Sequence, residues 1–335
     1  MILQLIPTDR KDMCLVMSAI HLDKIFHPKS IAVIGEDLPE GRIFSEVVNN
    51  LVEGGYSGKI YPINPIYKII CKQPIYPSLS EIDSKVDVAV LVGPAASTSK
   101  MIKECTKAGV KGLVMISGGG KETTEDARIP MTAAINEAMC SGLRIIGPDC
   151  FGIVCSGSKL NLSFSSHTPI HGRMAFVSQS GAICGSVLDL CLREHVGFSY
   201  FVSLGSMMDV DFGDIIDYLG GDYDVGSIVI FVESIPRIRN FMSAARSVSR
   251  IKPIIALKAG RTKPGALAVA SHTGRLGGED AVYDAAFERA GIVRIKSTMW
   301  SSIVIPRFIS KFCNGFPYNR LPSFLQARAA TNRLI

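Results

Sequence analysis

His272 stands in the loop Ser271-His272-Thr273-Gly274, after the apolar run Pro253–Lys258 and before a helical-looking stretch from Glu279 to Ala290. A neutral imidazole is a nucleophile near pH 7, and a glycine-bearing loop turns backbone N–H groups toward a transferred anion. None of the other histidines has such flanks. Taken alone, the loop fits a structural histidine equally well, so its neighbours must decide.

Glu233 closes the apolar run Ser227–Val232. A carboxylate at the carboxyl end of a strand can accept the Nδ1–H of an imidazole and leave Nε2 to attack, although solvated carboxylates are also common there. Ser178-Gln179-Ser180-Gly181-Ala182 joins a strand to a helix. Hydroxyls at that junction cap the helix, and the same first-turn N–H groups can hold a phosphoryl group. Asp209, Asp211 and Asp214 read as caps of a helix beginning near Phe212, in preference to metal ligands. Cys150, within Gly147-Pro148-Asp149-Cys150-Phe151-Gly152, has no basic partner in the sequence and is expected to be inert. His167, His171 and His195 have no companion acid at a recognisable spacing and read as ordinary surface or core residues.

In the first half, Gly35 ends an apolar run and leads through Gly41 to a helix near Ser45. The full GxGxxG pattern is missing, and Glu36, Asp37 and Glu40 sit where a phosphate would approach. A plain βα turn and a nucleotide grip therefore both remain open. Tyr61-Pro62-Ile63-Asn64-Pro65 ends the next run, and its prolines mark either a simple loop or a ligand edge at Asn64 and Pro65.

These residues need elements to position them. Strand-like runs occur at 30–34, 59–63, 87–92, 112–116 and 143–146, with helical candidates near 45–54, 96–109 and 130–141. The turn-rich stretch from Gly152 to Gly172 interrupts the rhythm. Strand runs resume at 174–178, 198–202, 228–232, 254–257 and 292–295, between helical candidates near 182–195, 212–220, 238–250 and 279–290. Such alternation predicts two doubly wound α/β domains, with ligands beyond the carboxyl ends of the strands. We set them at 17–160 and 161–300, between an irregular extension at 1–16 and an irregular or truncated tail at 301–335.

Composition agrees. A chain of 335 residues has room for about two domains, and 47% hydrophobic with 20% charged residues describes a globular protein. The net charge of +6 forms no basic stripe with interleaved aromatics, so nucleic acid is not expected as a partner. Nine cysteines show no CxxC pair and no metal spacing, which predicts reduced thiols, no metal site and a cytoplasmic protein. Asp9-Arg10-Lys11-Asp12 breaks any signal-peptide core, and no apolar run is long enough for a membrane span.

The ordered set is more specific than any member. Phe26-His-Pro-Lys-Ser-Ile-Ala-Val-Ile-Gly35, Tyr61-Pro-Ile-Asn-Pro65, Gly147-Pro-Asp-Cys-Phe-Gly152, Ser178-Gln-Ser-Gly-Ala182, Val232-Glu-Ser-Ile235 and Leu257-Lys-Ala-Gly-Arg261 precede Ser271-His-Thr-Gly274. From about Met17 to Ile295 the chain resembles the α part of the NDP-forming acyl-CoA synthetases, the ADP-forming acetate–CoA ligase type related to succinyl-CoA synthetase. The resemblance implies a Rossmann-like CoA-binding domain followed by a flavodoxin-like ligase domain. It implies that a phosphoryl group moves between acyl phosphate, His272 and a nucleotide while CoA takes the acyl group. Glu233 would steady His272, and Ser180, Gly181, Ala182, Thr273 and Gly274 would hold the phosphoryl oxygens. Gly35, Asn64, Pro65, Gly93 and Pro94 would line the coenzyme A site, and the turn from Gly147 to Gly152 would border acyl transfer.

The chain departs from the family pattern in three places: Glu36 and Phe44 in the first loop, Gly205-Ser-Met-Met-Asp209 for Gly-Asn-Lys-Ala-Asp, and Asp149 for Asn. The pattern fades after about Ile295 and includes no ATP-grasp module. The resemblance therefore implies an ATP-grasp β-type partner subunit carrying ATP or ADP with Mg2+, a hetero-oligomer and a small carboxylic acid substrate. A non-catalytic or decayed CoA-binding relative is the main alternative. A Rossmann-type NAD(P)-dependent oxidoreductase is opposed by the incomplete glycine fingerprint.

Overall fold

Short Val/Ile/Ala runs that are apolar on both faces become interior strands of two sheets. The computed structural model describes residues 21–35, 42–66, 68–117, 124–262, 264–267, 269 and 279–295. The His272 loop, Glu36 and the expected terminal extensions lie outside these residues. In chain order, the first unit runs α1 (Leu22–Phe26), β1 (Ser30–Gly35), α2 (Arg42–Glu53), β2 (Lys59–Ile63), a hairpin of β3 (Ile69–Ile70) and β4 (Gln73–Pro74), β5 (Val88–Val92), α3 (Ala95–Lys107), β6 (Gly112–Met115), α4 (Glu125–Cys140) and β7 (Arg144–Ile146). The second runs β8 (Ile153–Cys155), β9 (Leu160–Asn161), β10 (His171–Ser178), α5 (Gly181–Arg193), β11 (Phe198–Ser203), α6 (Phe212–Gly221), β12 (Ser227–Val232), α7 (Ile238–Val248), β13 (Ile254–Lys258), α8 (Asp280–Arg289) and β14 (Val293–Ile295).

The first sheet has the order β2-β1-β5-β6-β7, with every pair parallel. From β1 the chain builds β2 on one side and β5 on the other, so a crevice opens at the carboxyl ends of β1 and β5. The second sheet has the order β14-β13-β12-β10-β11-β8-β9. Its five long-connection strands are parallel, while β8 runs antiparallel to β11 along the edge. Here the direction of winding reverses between β10 and β12.

Helices cover both sheets with apolar stripes at helical spacing. In α2 the buried set is Phe44, Val47, Val48 and Leu51. One core cluster links the sheets, joining Val33, Val90 and Ile146 of the first to Val177, Val202 and Ile230 of the second. At the seam Phe26 meets the Tyr200 ring edge-on at 5.4 Å, and His27 Nε2 lies 3.0 Å from the Tyr200 hydroxyl.

Each expected strand run forms a strand, and the helices agree apart from their ends. The largest difference is α4, which starts at Glu125 and not near Pro130. Glu125 and Asp126 place negative charge in its first turn, against the positive end of the helix dipole, and Pro130 is carried inside. The turn-rich stretch after Gly152 is not wholly irregular, because β8 and β9 extend the second sheet.

Candidate active site

The second crevice gathers three strand ends. Register pairs Ser178 of β10 with Phe231 of β12, and Val232 with Lys258 of β13. Gln179, Glu233 and Ala259, each one residue further on, therefore leave the sheet side by side. Gln179 binds the two loops together: its Oε1 accepts from the N–H of Glu233 at 3.0 Å and of Ser234 at 2.9 Å. Its Nε2 donates to Ser234 Oγ at 3.1 Å. Both loop amides are thus satisfied by one side chain, and Glu233 is held at the strand tip while 7% exposed.

Ser178 and Ser180 shape the opposite wall. Ser178 Oγ donates to the Ser180 carbonyl at 2.9 Å and accepts from the Ser180 N–H at 3.1 Å, closing a tight turn. Ser180 is then the N-cap of α5, its Oγ accepting from the Ile183 N–H at 3.4 Å. The amides of Gly181 and Ala182 open the helix, where no intrahelical acceptor exists and the dipole favours an anion. The structure thus brings Ser180, Gly181, Ala182 and Glu233 to one sheet edge. Phosphate contacts by Thr273 and Gly274, and attack by His272, fall outside the described residues.

Lys258 is a further charged group here that sequence reading passed over. It ends β13, is buried, and its ammonium lies 4.5 Å from the Tyr283 ring centroid. Burial pushes it below the usual lysine range, while Asp280 and Glu233 draw it back up. The motif Leu257-Lys-Ala-Gly-Arg261 and its place at a strand's carboxyl end could have flagged it; the alternation reads it as the last residue of an apolar run.

In the first crevice Gly35 ends β1 beside Val92 of β5. Asn64 Nδ2 donates to the Gly35 carbonyl at 2.7 Å, and Asn64 Oδ1 accepts from the Ile66 N–H at 2.8 Å. Gly35 and Asn64 are therefore one structural unit, with Pro65 next in the turn. Phe44 bears directly on it: a Cβ on Gly35 would stand 2.6 Å from the Phe44 ring. The family departure at Phe44 thus fills space beside the first turn. Gly93 donates to Ser117 Oγ at 3.0 Å, and Pro94 precedes α3 with no capping side chain. A helix start without a side-chain cap, at a switch point, suits a phosphate-bearing ligand.

The turn after β7 packs on the second unit, where the Phe151 N–H donates to Ser203 Oγ at 2.9 Å and a Cβ on Gly181 would stand 3.6 Å from Phe151. Gly147 has φ 104°, and a Cβ there would stand 2.5 Å from the Met115 carbonyl, so only glycine fits. Asp149 also adopts a left-handed conformation, φ 56°, which Asn and Asp tolerate better than other side chains; the exchange for Asn is conformationally sound. Cys150 is buried and bonded to the Met115 carbonyl at 3.2 Å. Burial pushes its thiol up to about 12, as an inert cysteine requires.

Asp211 and Asp214 act as caps, whereas the Asp209 carboxylate accepts from Arg144 Nε and the Ile145 N–H and does not cap the helix. Asp211 Oδ1 accepts from Gly213 N–H at 2.8 Å and Asp214 N–H at 3.3 Å, and Asp214 Oδ2 accepts from the Asp211 N–H at 3.1 Å. Among the described residues no cluster of His, Cys, Asp or Glu could hold a metal ion.

The chain thus consists of two α/β units, each with a crevice at the carboxyl ends of the strands where its winding reverses, and in the second unit Glu233 and the start of α5 follow neighbouring strands. Comparison with known proteins gives these units their identity. A CoA binding domain model matches residues 29–156, and a succinyl-CoA ligase like flavodoxin domain model matches 171–299. The chain belongs to the NDP-forming acyl-CoA synthetase family.

Its relatives include the α subunit of acetate–CoA ligase (ADP-forming) I of Pyrococcus furiosus, 40% identical over 277 residues, which cover 82% of this chain and 60% of the relative. Acetate–CoA ligase (ADP-forming) I of Archaeoglobus fulgidus is 38% identical over 276 residues, covering 82% and 40%. Among solved structures, the dinucleotide-forming acetyl-coenzyme A synthetase 1 of Candidatus Korarchaeum cryptofilum, in complex with phosphate and ADP, matches with TM-score 0.77 and 38% identity over 83% of this chain and 60% of that one. The chain thus spans about 60% or less of the length of these relatives. No described helix is long and apolar enough to cross a membrane.

Proposed function

We propose that this chain is the α-like part of an NDP-forming acyl-CoA synthetase, interconverting acyl-CoA, ADP and phosphate with a carboxylic acid, CoA and ATP through a phosphohistidine. A phosphate oxygen attacks the thioester carbon of acyl-CoA, the CoA thiolate leaves, and an acyl phosphate forms. His272 Nε2 then attacks phosphorus; the P–O bond to the acyl group breaks, and the carboxylate departs. The phosphoryl group passes finally to a terminal oxygen of ADP on an ATP-grasp β-type partner, where Mg2+ would accompany the nucleotide. Each step also runs in reverse.

In this reading the Glu233 carboxylate accepts the Nδ1–H of His272 and offsets the positive charge that develops on the ring during attack. The first amides of α5, with Thr273 and Gly274, receive the phosphoryl oxygens. CoA is held by the first unit at Gly35, Asn64, Pro65, Gly93 and Pro94, and the Gly147–Gly152 turn borders acyl transfer. We assign CoA binding to the first unit, the ligase chemistry to the second, which takes in β8 and β9 and so begins before the 161 expected from the sequence, and the protein to the cytoplasm.

The observation that carries this reading is the frame formed by Gln179, Glu233 and Ser234 opposite the capped start of α5. It is tested by incubating the purified chain with γ-labelled ATP and a co-encoded ATP-grasp chain. The reading predicts acid-labile, base-stable label on the wild-type chain and none on His272→Ala. Label that persists on the variant removes His272 from the mechanism.

A further inference from the structure

A buried ionic cluster joins the two candidate loops from opposite sides. Arg144 opens β7, three residues before Gly147, and its side chain is only 5% exposed. Its Nε donates to Asp209 Oδ2 at 2.9 Å, and its Nη2 lies 3.4 Å from Asp214 Oδ2. The backbone repeats the link: Ile145 N–H donates to Asp209 Oδ2 at 2.8 Å, and Val210 N–H to the Ile145 carbonyl at 3.1 Å. On the far side stands Arg237, at the end of the loop that begins with Glu233. Its Nε donates to Asp211 Oδ2 at 2.6 Å, its Nη2 to Asp214 Oδ2 at 2.7 Å, and its Nη2 also to the Asp209 carbonyl.

Asp214 Oδ2 is thus shared by an arginine of each unit. The segment between is bonded to the Gly147 turn as well, with Ser206 N–H donating to the Pro148 carbonyl at 2.8 Å and Met208 N–H to the Gly147 carbonyl at 3.3 Å. Capping α6 needs only Asp211 and Asp214. Two arginines from two units exceed that requirement, and burying four or more charges is costly unless their geometry is used.

We propose that Arg237, acting with Asp209, Asp211, Asp214 and Arg144, is a positioning residue that holds the Glu233 loop and the Gly147–Gly152 turn in one frame. The inference rests on the proposed function. Acyl phosphate would form at the turn of one unit and be attacked from the loop of the other, so a displacement of about 1 Å between them would cost up to a hundredfold in rate. Arg237 would touch neither phosphorus nor His272; it sets where Glu233 stands.

The test uses the full chain and 32P-labelled acyl phosphates, acetyl phosphate first, and follows label on His272 over time. Arg237 is 40% exposed, and Arg144 and Asn240 remain beside the aspartates, so Arg237→Met is expected to fold. Its labelling rate at saturation should fall about tenfold to a hundredfold with little change in the half-saturating concentration. The acid limb of its pH–rate profile should move to higher pH. Burial and Asp211 push the Asp214 carboxyl up, while Arg237 and Arg144 hold it down, so loss of Arg237 lets it protonate earlier. Arg237→Lys should recover part of the rate, because one ammonium cannot replace the guanidinium fork at three acceptors.

Wild-type rate and pH profile in Arg237→Met would overturn the inference alone. Absence of label on the wild-type chain from any acyl phosphate would remove the underlying reading, and the positioning role with it. Should Arg237→Met not fold, Arg237→Lys decides: an intermediate rate with a raised acid limb supports the role, and wild-type behaviour refutes it.

Discussion

Gln179 Oε1 accepts from the backbone N–H of Glu233 at 3.0 Å across the winding reversal of the second sheet. A neutral amide one residue past β10 thereby fixes the carboxylate one residue past β12. Replacing it by alanine strips the acceptor from two buried N–H groups, at a cost of about 2 to 4 kcal/mol. Chemical denaturation of Gln179→Ala should show this loss, and phosphohistidine formation should slow in the variant that remains folded. An unchanged midpoint and rate would show that the Glu233 loop is held by other contacts.

Ser180 separates capping from phosphate binding. Ser180→Ala removes the acceptor for Ile183 N–H and should lower stability by about 1 kcal/mol. Ser180→Asp caps as well as serine but brings negative charge to the place proposed for the phosphoryl group. The expected outcome is near-wild-type thermal stability with labelling of His272 abolished. Full labelling of Ser180→Asp would place the phosphoryl group elsewhere.

The first crevice makes an independent prediction. Asn64→Ala loses the donor to the Gly35 carbonyl and the acceptor for Ile66 N–H, releasing the turn proposed to line the CoA site. Affinity for CoA, measured by calorimetry, should fall about tenfold, or about 1.4 kcal/mol. An unchanged affinity would move the CoA site away from this turn.

Cys150 supplies the pH dependence. With its thiol pushed up to about 12 by burial, the reactive thiolate is about one part in ten thousand at pH 8. Iodoacetamide should therefore spare Cys150 at neutral pH while exposed Cys140 reacts, as peptide mapping would show. Raising pH increases the Cys150 thiolate about tenfold per unit until the thiol titrates or the fold opens. Rapid alkylation of Cys150 at pH 7 would mean that the turn is open to solvent.

What the sequence made legible follows from local physics. Runs such as Val88–Val92 and Ser227–Val232 are apolar on both faces, and Gly or Ser at their ends marks the turns, so strands and switch-point loops could be read directly. Ser180 and Asp211 announced themselves as caps through their place before helices. Less could be read where an element is short or a partner is distant. β8 and β9 hold three and two residues in a serine-rich stretch, below any usable period. Gln179 and Ser234 are separated by 55 positions, and Arg144 and Asp209 by 65, so only the fold reveals that they meet. The Gly35–Asn64 pairing was hidden for the same reason, although both residues were singled out.

The most direct measurement is a crystal structure of the phosphorylated chain. The account predicts phosphorus on Nε2 of His272, its oxygens within about 3 Å of the Gly181 and Ala182 amides, and Nδ1 within about 3 Å of the Glu233 carboxylate. Phosphorus on another residue, or an imidazole remote from Glu233, would contradict it.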